Sequence, residues 1–179
     1  MGIGLDASHM EGAMIVDVGG GTTSVSVASV HGIVVSDYSR MAGMAMDQAI
    51  IARVREVYKV EIGRKAAELV KIALGARWHI DNRKRSTSVC GTSLVTGLPV
   101  KIEVTGKVAA EALTPVLEHI FRKVRSVLQK TPPALLADIR DHGIMITGGA
   151  GQLKGLDQMI TNLTGIPAYV VEHPLYVNA

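Results

Sequence analysis

The first readable pattern in the chain is a short apolar run, Met14-Ile15-Val16-Asp17-Val18, followed by the alternation Ser24-Val25-Ser26-Val27-Ala28. Alternation of polar and apolar positions marks a half-buried strand. Strands are therefore predicted over 14–18, 23–30 and 33–38, the last two joined by a turn at His31-Gly32. Residues 1–13, broken by Asp6, Ser8, His9 and Gly12, are predicted to be irregular. The period then changes. From Ala45 the apolar residues Met46, Ile50, Val54 and Val57 recur at helical spacing as far as Tyr58. A second helix from Arg64 to Leu74 places Ala66, Val70, Ala73 and Leu74 on one face and stops at Gly75.

Residues 76–105 are mixed in polarity and rich in β-branched side chains. They read as a hairpin closed near Thr96-Gly97 with a strand over Val100–Val104, and 59–105 is predicted to be a small inserted lobe. The longest helix is expected from Lys107. Its stripe of Leu113, Val116, Leu117, Ile120, Phe121, Val124, Val127 and Leu128 suits a helix packed on a sheet. Pro115 falls inside that stripe, so the helix either starts there or kinks there. Thr131-Pro132-Pro133 ends it. A short helix over 133–140, a strand over Ile144–Ile146, a helix over 153–163 and a strand over 168–171 complete the pattern.

Two of these strands run directly into glycine: Asp17-Val18-Gly19-Gly20-Gly21-Thr22-Thr23 and Thr147-Gly148-Gly149-Ala150-Gly151. Glycine permits backbone conformations and close approaches that side chains forbid. Successive N–H groups in such a turn form a concavity suited to phosphate oxygens, and a strand feeding a glycine turn and a helix suits an anion at the helix N-terminus. Threonine hydroxyls add donors, and Asp17 can hold Mg²⁺ through water, because Mg²⁺ keeps much of its hydration. For the first loop alone, a plain hairpin turn is an equal reading. The spacing matches neither G-x-x-x-x-G-K-[ST] nor G-x-G-x-x-G.

Composition narrows the class. The 179 residues fit one domain with room for a small lobe, and 47% apolar against 3% aromatic residues implies an aliphatic core. A net charge of +3 is too mild for a nucleic-acid footprint, and Arg83-Lys84-Arg85 has no neighbouring aromatics for base stacking. The single cysteine, Cys90, cannot form an intramolecular disulfide and fits a reducing cytosol; it is read as a small buried residue. No apolar run is long enough to span a membrane, and the N-terminus lacks signal-peptide character. The six histidines (His9, His31, His79, His119, His142, His173) show no metal-ligand spacing and are read as surface or loop residues. Ser36, Ser39 and Ser126 lack a nucleophile-elbow context. The eight methionines are read as core filling.

The segment from Asp17 to Thr23 resembles the second phosphate loop of the actin, sugar-kinase and heat-shock-chaperone superfamily. Further segments in order resemble its bacterial actin branch, MreB: Met41–Ile51, Ala67–Gly75, Leu94–Pro99, Lys130–Leu135, Thr147–Gly149 with Leu153–Asp157, and His173-Pro174-Leu175. The resemblance runs from about residue 10 to 176 and implies an α/β, actin-like ATPase (ribonuclease H-like) fold. One half of the two-domain fold is matched. Residues 1–58 and 106–179 correspond to its larger nucleotide-binding lobe and 59–105 to its smaller one.

The resemblance implies ATP and Mg²⁺ as cofactors. Gly19, Gly20, Gly21 and Thr22 would cradle the β- and γ-phosphates, with Asp17 near the metal. Glu68 and Lys71, about one helical turn apart, would reach the ribose and adenine; the plainer reading of that pair is an exposed ion pair. Gly148, Gly149 and Ala150 would approach the adenosine and α-phosphate. The sequence departs from the family at Met44, where aspartate is usual, at Gln48 and Ala73, which replace acidic residues, and at Ala150-Gly151, which shifts the glycine order. Methionine cannot cap a helix, so a weaker N-terminus is expected there.

The family's first phosphate loop, catalytic glutamate and membrane-binding elements have no counterpart here. No catalytic residue is therefore assigned, and hydrolysis by this chain alone is not expected. Losing one phosphate loop removes charge-assisted contacts of roughly 1.5–3 kcal/mol each, so millimolar ATP affinity or none is expected. The leading expectation is the ATP-binding half of a cytoplasmic bacterial cell-shape filament protein. Its expected partners are its own or full-length MreB-like subunits and a membrane-anchored rod-shape adaptor, with no nucleic acid. The alternative is a short non-enzymatic actin-like module that binds or caps a full-length filament.

Overall fold

The computed structural model describes residues 12–75 and 85–171. Its elements, in chain order, are β1 (Gly12–Val18), β2 (Thr23–Ser29), β3 (Gly32–Ser39), α1 (Gly43–Tyr58), β4 (Val60–Glu61), α2 (Arg64–Leu74), β5 (Ser86–Ser93), β6 (Pro99–Thr105), α3 (Gly106–Lys130), α4 (Pro133–His142), β7 (Ile144–Thr147), α5 (Leu156–Thr164) and β8 (Ala168–Val170). A 3-10 turn, Ala150–Gln152, follows β7. The chain divides into two compact units, the boundaries falling after Gly43, inside α3 between Glu118 and His119, and on either side of 153–156.

The first unit holds β1–β3, the second half of α3, α4, β7, the 3-10 turn, β8 and nearly all of α5. Its five-stranded sheet has the order β3-β2-β1-β7-β8. β1–β2 and β2–β3 are antiparallel, as short connections allow, whereas β1–β7 and β7–β8 are parallel. β7 is buried at all four positions, as a parallel strand covered on both faces should be. Met14, Val16 and Val18 of β1 and Val25 and Val27 of β2 are fully buried at alternate positions. Residues 12 and 13, expected to be irregular, already belong to β1, where Gly12 pairs with Ser29.

The second unit comprises α1 from Met44 onward, β4, α2, β5, β6, the first half of α3 and residues 153–156. Its sheet has the order β4-β5-β6 and is antiparallel. α3 runs from Gly106 through Pro115 to Lys130 as one helix, so the proline does not start it. A proline removes one backbone bond of the helix; next to it, the Thr114 hydroxyl donates to the Ala110 carbonyl at 2.8 Å.

Three side-chain readings are corrected. Cys90 is exposed: it lies on β5 between the buried Val89 and the half-buried Gly91, and its side chain takes the outward place of the alternation. His119 is half-buried on α3 and its Nε2 lies 2.8 Å from Ser39 Oγ, so it is not a surface histidine. On α2 the buried face is Ala67, Val70, Lys71 and Leu74, not Ala66, Val70, Ala73 and Leu74. Among the described residues no helix is long and apolar enough to cross a membrane. His9, His79 and His173, with Arg83 and Lys84, lie outside the described residues.

Candidate functional site

β1 and β7 are adjacent and parallel, with Asp17 opposite Thr147 at their ends. Both glycine turns therefore leave the sheet side by side, at the carboxyl edge where open α/β sheets bind ligands. Gly148 has φ +87°, a conformation that favours glycine, and a Cβ there would overlap Asp17 Oδ1 and the Val18 backbone. That missing side chain is what lets the second turn lie against the end of β1.

The first turn is closed by Gly19 N–H donating to the Thr22 carbonyl at 2.9 Å. The Gly19 carbonyl in turn accepts from Gly43 N–H at 3.1 Å, where α1 begins. Gly20 is exposed, and beyond its own residue and its two chain neighbours no heavy atom lies within 4 Å of the position its Cβ would take. Gly21 is half-buried and Thr22 exposed; Gly149 is exposed and Ala150 buried. Immediately after the loop, Thr23 is fully buried and its hydroxyl donates to the Met41 carbonyl at 2.8 Å.

Asp17 is half-buried, and none of the described residues hydrogen-bonds its carboxylate. Burial pushes its carboxyl above the ordinary 3.8. A half-buried carboxylate beside two glycine turns has the hard oxygen donors that suit Mg²⁺, and a cation would offset the cost of burying it. The residues present thus fit an anion at the loops and a cation at Asp17.

The other two expected residues belong to the second unit. Glu68 is exposed on α2, and Lys71 is buried, its Nζ 2.7 Å from Asp47 Oδ1. Asp47 was not singled out by the sequence pattern. A signal was nevertheless present: Asp47 lies three residues before Ile50 on the face of α1 that carries the buried Met46, Ile50 and Val54. A carboxylate on a buried face needs a cation or hydrogen bonds, and Lys71, four residues after the buried Ala67, answers it from α2.

A family profile described as MreB/Mbl protein matches residues 1–179. The chain belongs to the MreB/Mbl family. The cell shape-determining protein Mbl of Bacillus subtilis (strain 168) is 39% identical over 175 residues, which cover 98% of this chain and 52% of that protein. The cell shape-determining protein MreB of Escherichia coli (strain K12) is also 39% identical over 175 residues, covering 98% of this chain and 50% of that protein. The crystal structure of MreB5 of Spiroplasma citri bound to ADP matches with a TM-score of 0.89 at 31% identity, over 96% of this chain and 52% of that one. A MamK double helical filament matches with a TM-score of 0.74 at 19% identity, over 92% of this chain and 50% of that one, and supports the fold alone. The fold is that of the actin-like ATPases, and the chain spans about half the length of the curated relatives it matches.

Proposed function

We propose that this MreB/Mbl-family chain is the nucleotide-binding half of a bacterial cell-shape cytoskeletal protein, taking a nucleoside triphosphate with Mg²⁺ and assembling with like subunits. The observation that carries this reading is the side-by-side emergence of two glycine turns at the ends of the parallel strands β1 and β7, beside a half-buried aspartate. Successive backbone N–H groups at such a position attract phosphate oxygens. Gly19, Gly20, Gly21 and Thr22 would hold phosphate, Gly148, Gly149 and Ala150 would give backbone approach, and Asp17 would hold the hydrated metal, which neutralises phosphate charge when bound. MreB5 of Spiroplasma citri, solved with ADP and with AMPPNP, supports the ligand class. The relatives named cell shape-determining proteins support the role.

For Glu68 and Lys71 in the second unit, contact with the nucleoside is proposed from the family resemblance. The smaller lobe over 59–105 and self-association into filaments are proposed on the same basis, as is docking of a membrane-anchored rod-shape adaptor on the larger lobe. The test is assembly. Joined to the complementary half of the Escherichia coli relative, the chain should sediment in the presence of Mg-ATP and stay in the supernatant without it. Identical sedimentation with and without nucleotide would overturn the reading.

A further inference from the structure

The first glycine turn is held by more than its own strand. The segment after β3 is fixed at two points: Thr23 Oγ1 donates to the Met41 carbonyl at 2.8 Å, and Met41 N–H donates to Ser39 Oγ at 3.1 Å. Ser39 Oγ also lies 2.8 Å from Nε2 of His119 on α3. Two residues after Met41 the same segment reaches Gly43, whose N–H donates to the Gly19 carbonyl. Gly43 is buried, and a Cβ on it would stand 3.2 Å from Ala150 Cβ, 3.3 Å from Gly19 O and 3.5 Å from Gly20 Cα. None of these neighbours is the end of a flexible side chain. Two are backbone atoms of the first turn, and the third is a methyl group fixed to the backbone of the second. A hydrogen at residue 43 lets both turns come this close without crowding, whereas a methyl there would require one of them to give by a few tenths of an ångström.

We propose that Gly43 is a positioning residue of the phosphate site: it sets the spacing between the Gly19–Thr22 and Gly148–Ala150 turns without touching the ligand, and Thr23 holds it there through Met41. This rests on the phosphate-binding reading above. A methyl at residue 43 forces a displacement of a few tenths of an ångström on a turn whose N–H groups must converge on one anion. Small misplacements of binding groups carry large penalties, whereas the same displacement in a solvent-facing turn changes folding stability little.

The test is the affinity of the whole chain for Mg-ATP and for Mg-tripolyphosphate by equilibrium dialysis, with urea unfolding measured in parallel. Gly43→Ala should weaken both ligands by the same factor, about tenfold, because the spacing concerns phosphate and not the nucleoside. Thr23→Val should weaken both in the same way, and Thr23→Ser, which keeps the hydroxyl, should bind like the parent. If Gly43→Ala does not fold, the two Thr23 variants decide. Parent-like affinity in Gly43→Ala, or equal affinities in Thr23→Val and Thr23→Ser, would overturn the positioning role. If the parent chain binds neither ligand, the phosphate-binding reading itself fails and the positioning role falls with it.

Discussion

Lys71 Nζ lies 2.7 Å from Asp47 Oδ1, and each side chain is only about a tenth exposed, at 10% and 9%. Removing Asp47 takes from the buried Lys71 ammonium the carboxylate that lies 2.7 Å from it. Asp47→Ala should therefore destabilise the chain by about 3–5 kcal/mol. Replacing both, as Asp47→Leu with Lys71→Met, should cost far less than the sum of the single changes, since the desolvation of both charges disappears with them. Urea unfolding of the two single variants and the double variant measures this. Additive losses would show that the two residues are not coupled.

The glycines at 148 and 20 should respond oppositely to the same substitution. At Gly148 a methyl group meets Asp17 and the Val18 backbone, at a φ that disfavours any side chain. Gly148→Ala should cost about 3 kcal/mol or more from strain and overpacking together. At Gly20 the methyl meets nothing, so Gly20→Ala should leave stability within about 0.5 kcal/mol of the parent. It should nevertheless weaken Mg-ATP binding, because the methyl fills space proposed for phosphate. Thermal unfolding with and without ligand separates the two effects. A large stability loss in Gly20→Ala would contradict the open turn.

Asp17 makes a prediction whose sign follows from linkage. Its folded carboxyl titrates above the ordinary 3.8 because burial disfavours the charge. The folded state then binds the proton more tightly than the unfolded chain. Stability from this group is greatest below pH 3.8 and falls as pH rises through the folded value, leaving a penalty at neutral pH. Asp17→Asn should be more stable than the parent at pH 7 without metal, and this advantage should shrink as pH falls towards 3.8. Adding Mg²⁺ at ten times its dissociation constant should raise parent stability by about 1.4 kcal/mol and leave the variant unchanged. Equal responses to Mg²⁺ would place the cation elsewhere.

Much of the first unit could be read from the chain because its signals are local. A short apolar run located β1, alternation located β2, the turn at His31-Gly32 located the start of β3, and Thr131-Pro132-Pro133 located the end of α3 and the start of α4. The end of α2 at Leu74 followed from Gly75. β4, only Val60 and Glu61, is too short to carry a period and exists because β5 offers it an antiparallel edge. The helix expected over 153–163 begins only at Leu156, as α5, after a 3-10 turn at Ala150–Gln152 and with Gly155 at φ +90° just before it. Gly149 and Ala150 could be named from their loop, but the closeness of Gly43 to Ala150 joins residues more than a hundred positions apart and has no local signature. The burial of Lys71 was missed for the same reason: its partner Asp47 lies on another helix.

The most direct test of the phosphate site is calorimetric titration of Mg-ATP into the 179-residue chain beside its Gly20→Asp variant. The variant places a carboxylate on the open turn, where its charge repels phosphate and its Cβ meets no neighbouring atom. The expected result is saturable binding to the parent, with a dissociation constant on the order of millimolar, and none to a folded Gly20→Asp. No binding to either chain, or equal binding to both, would contradict it.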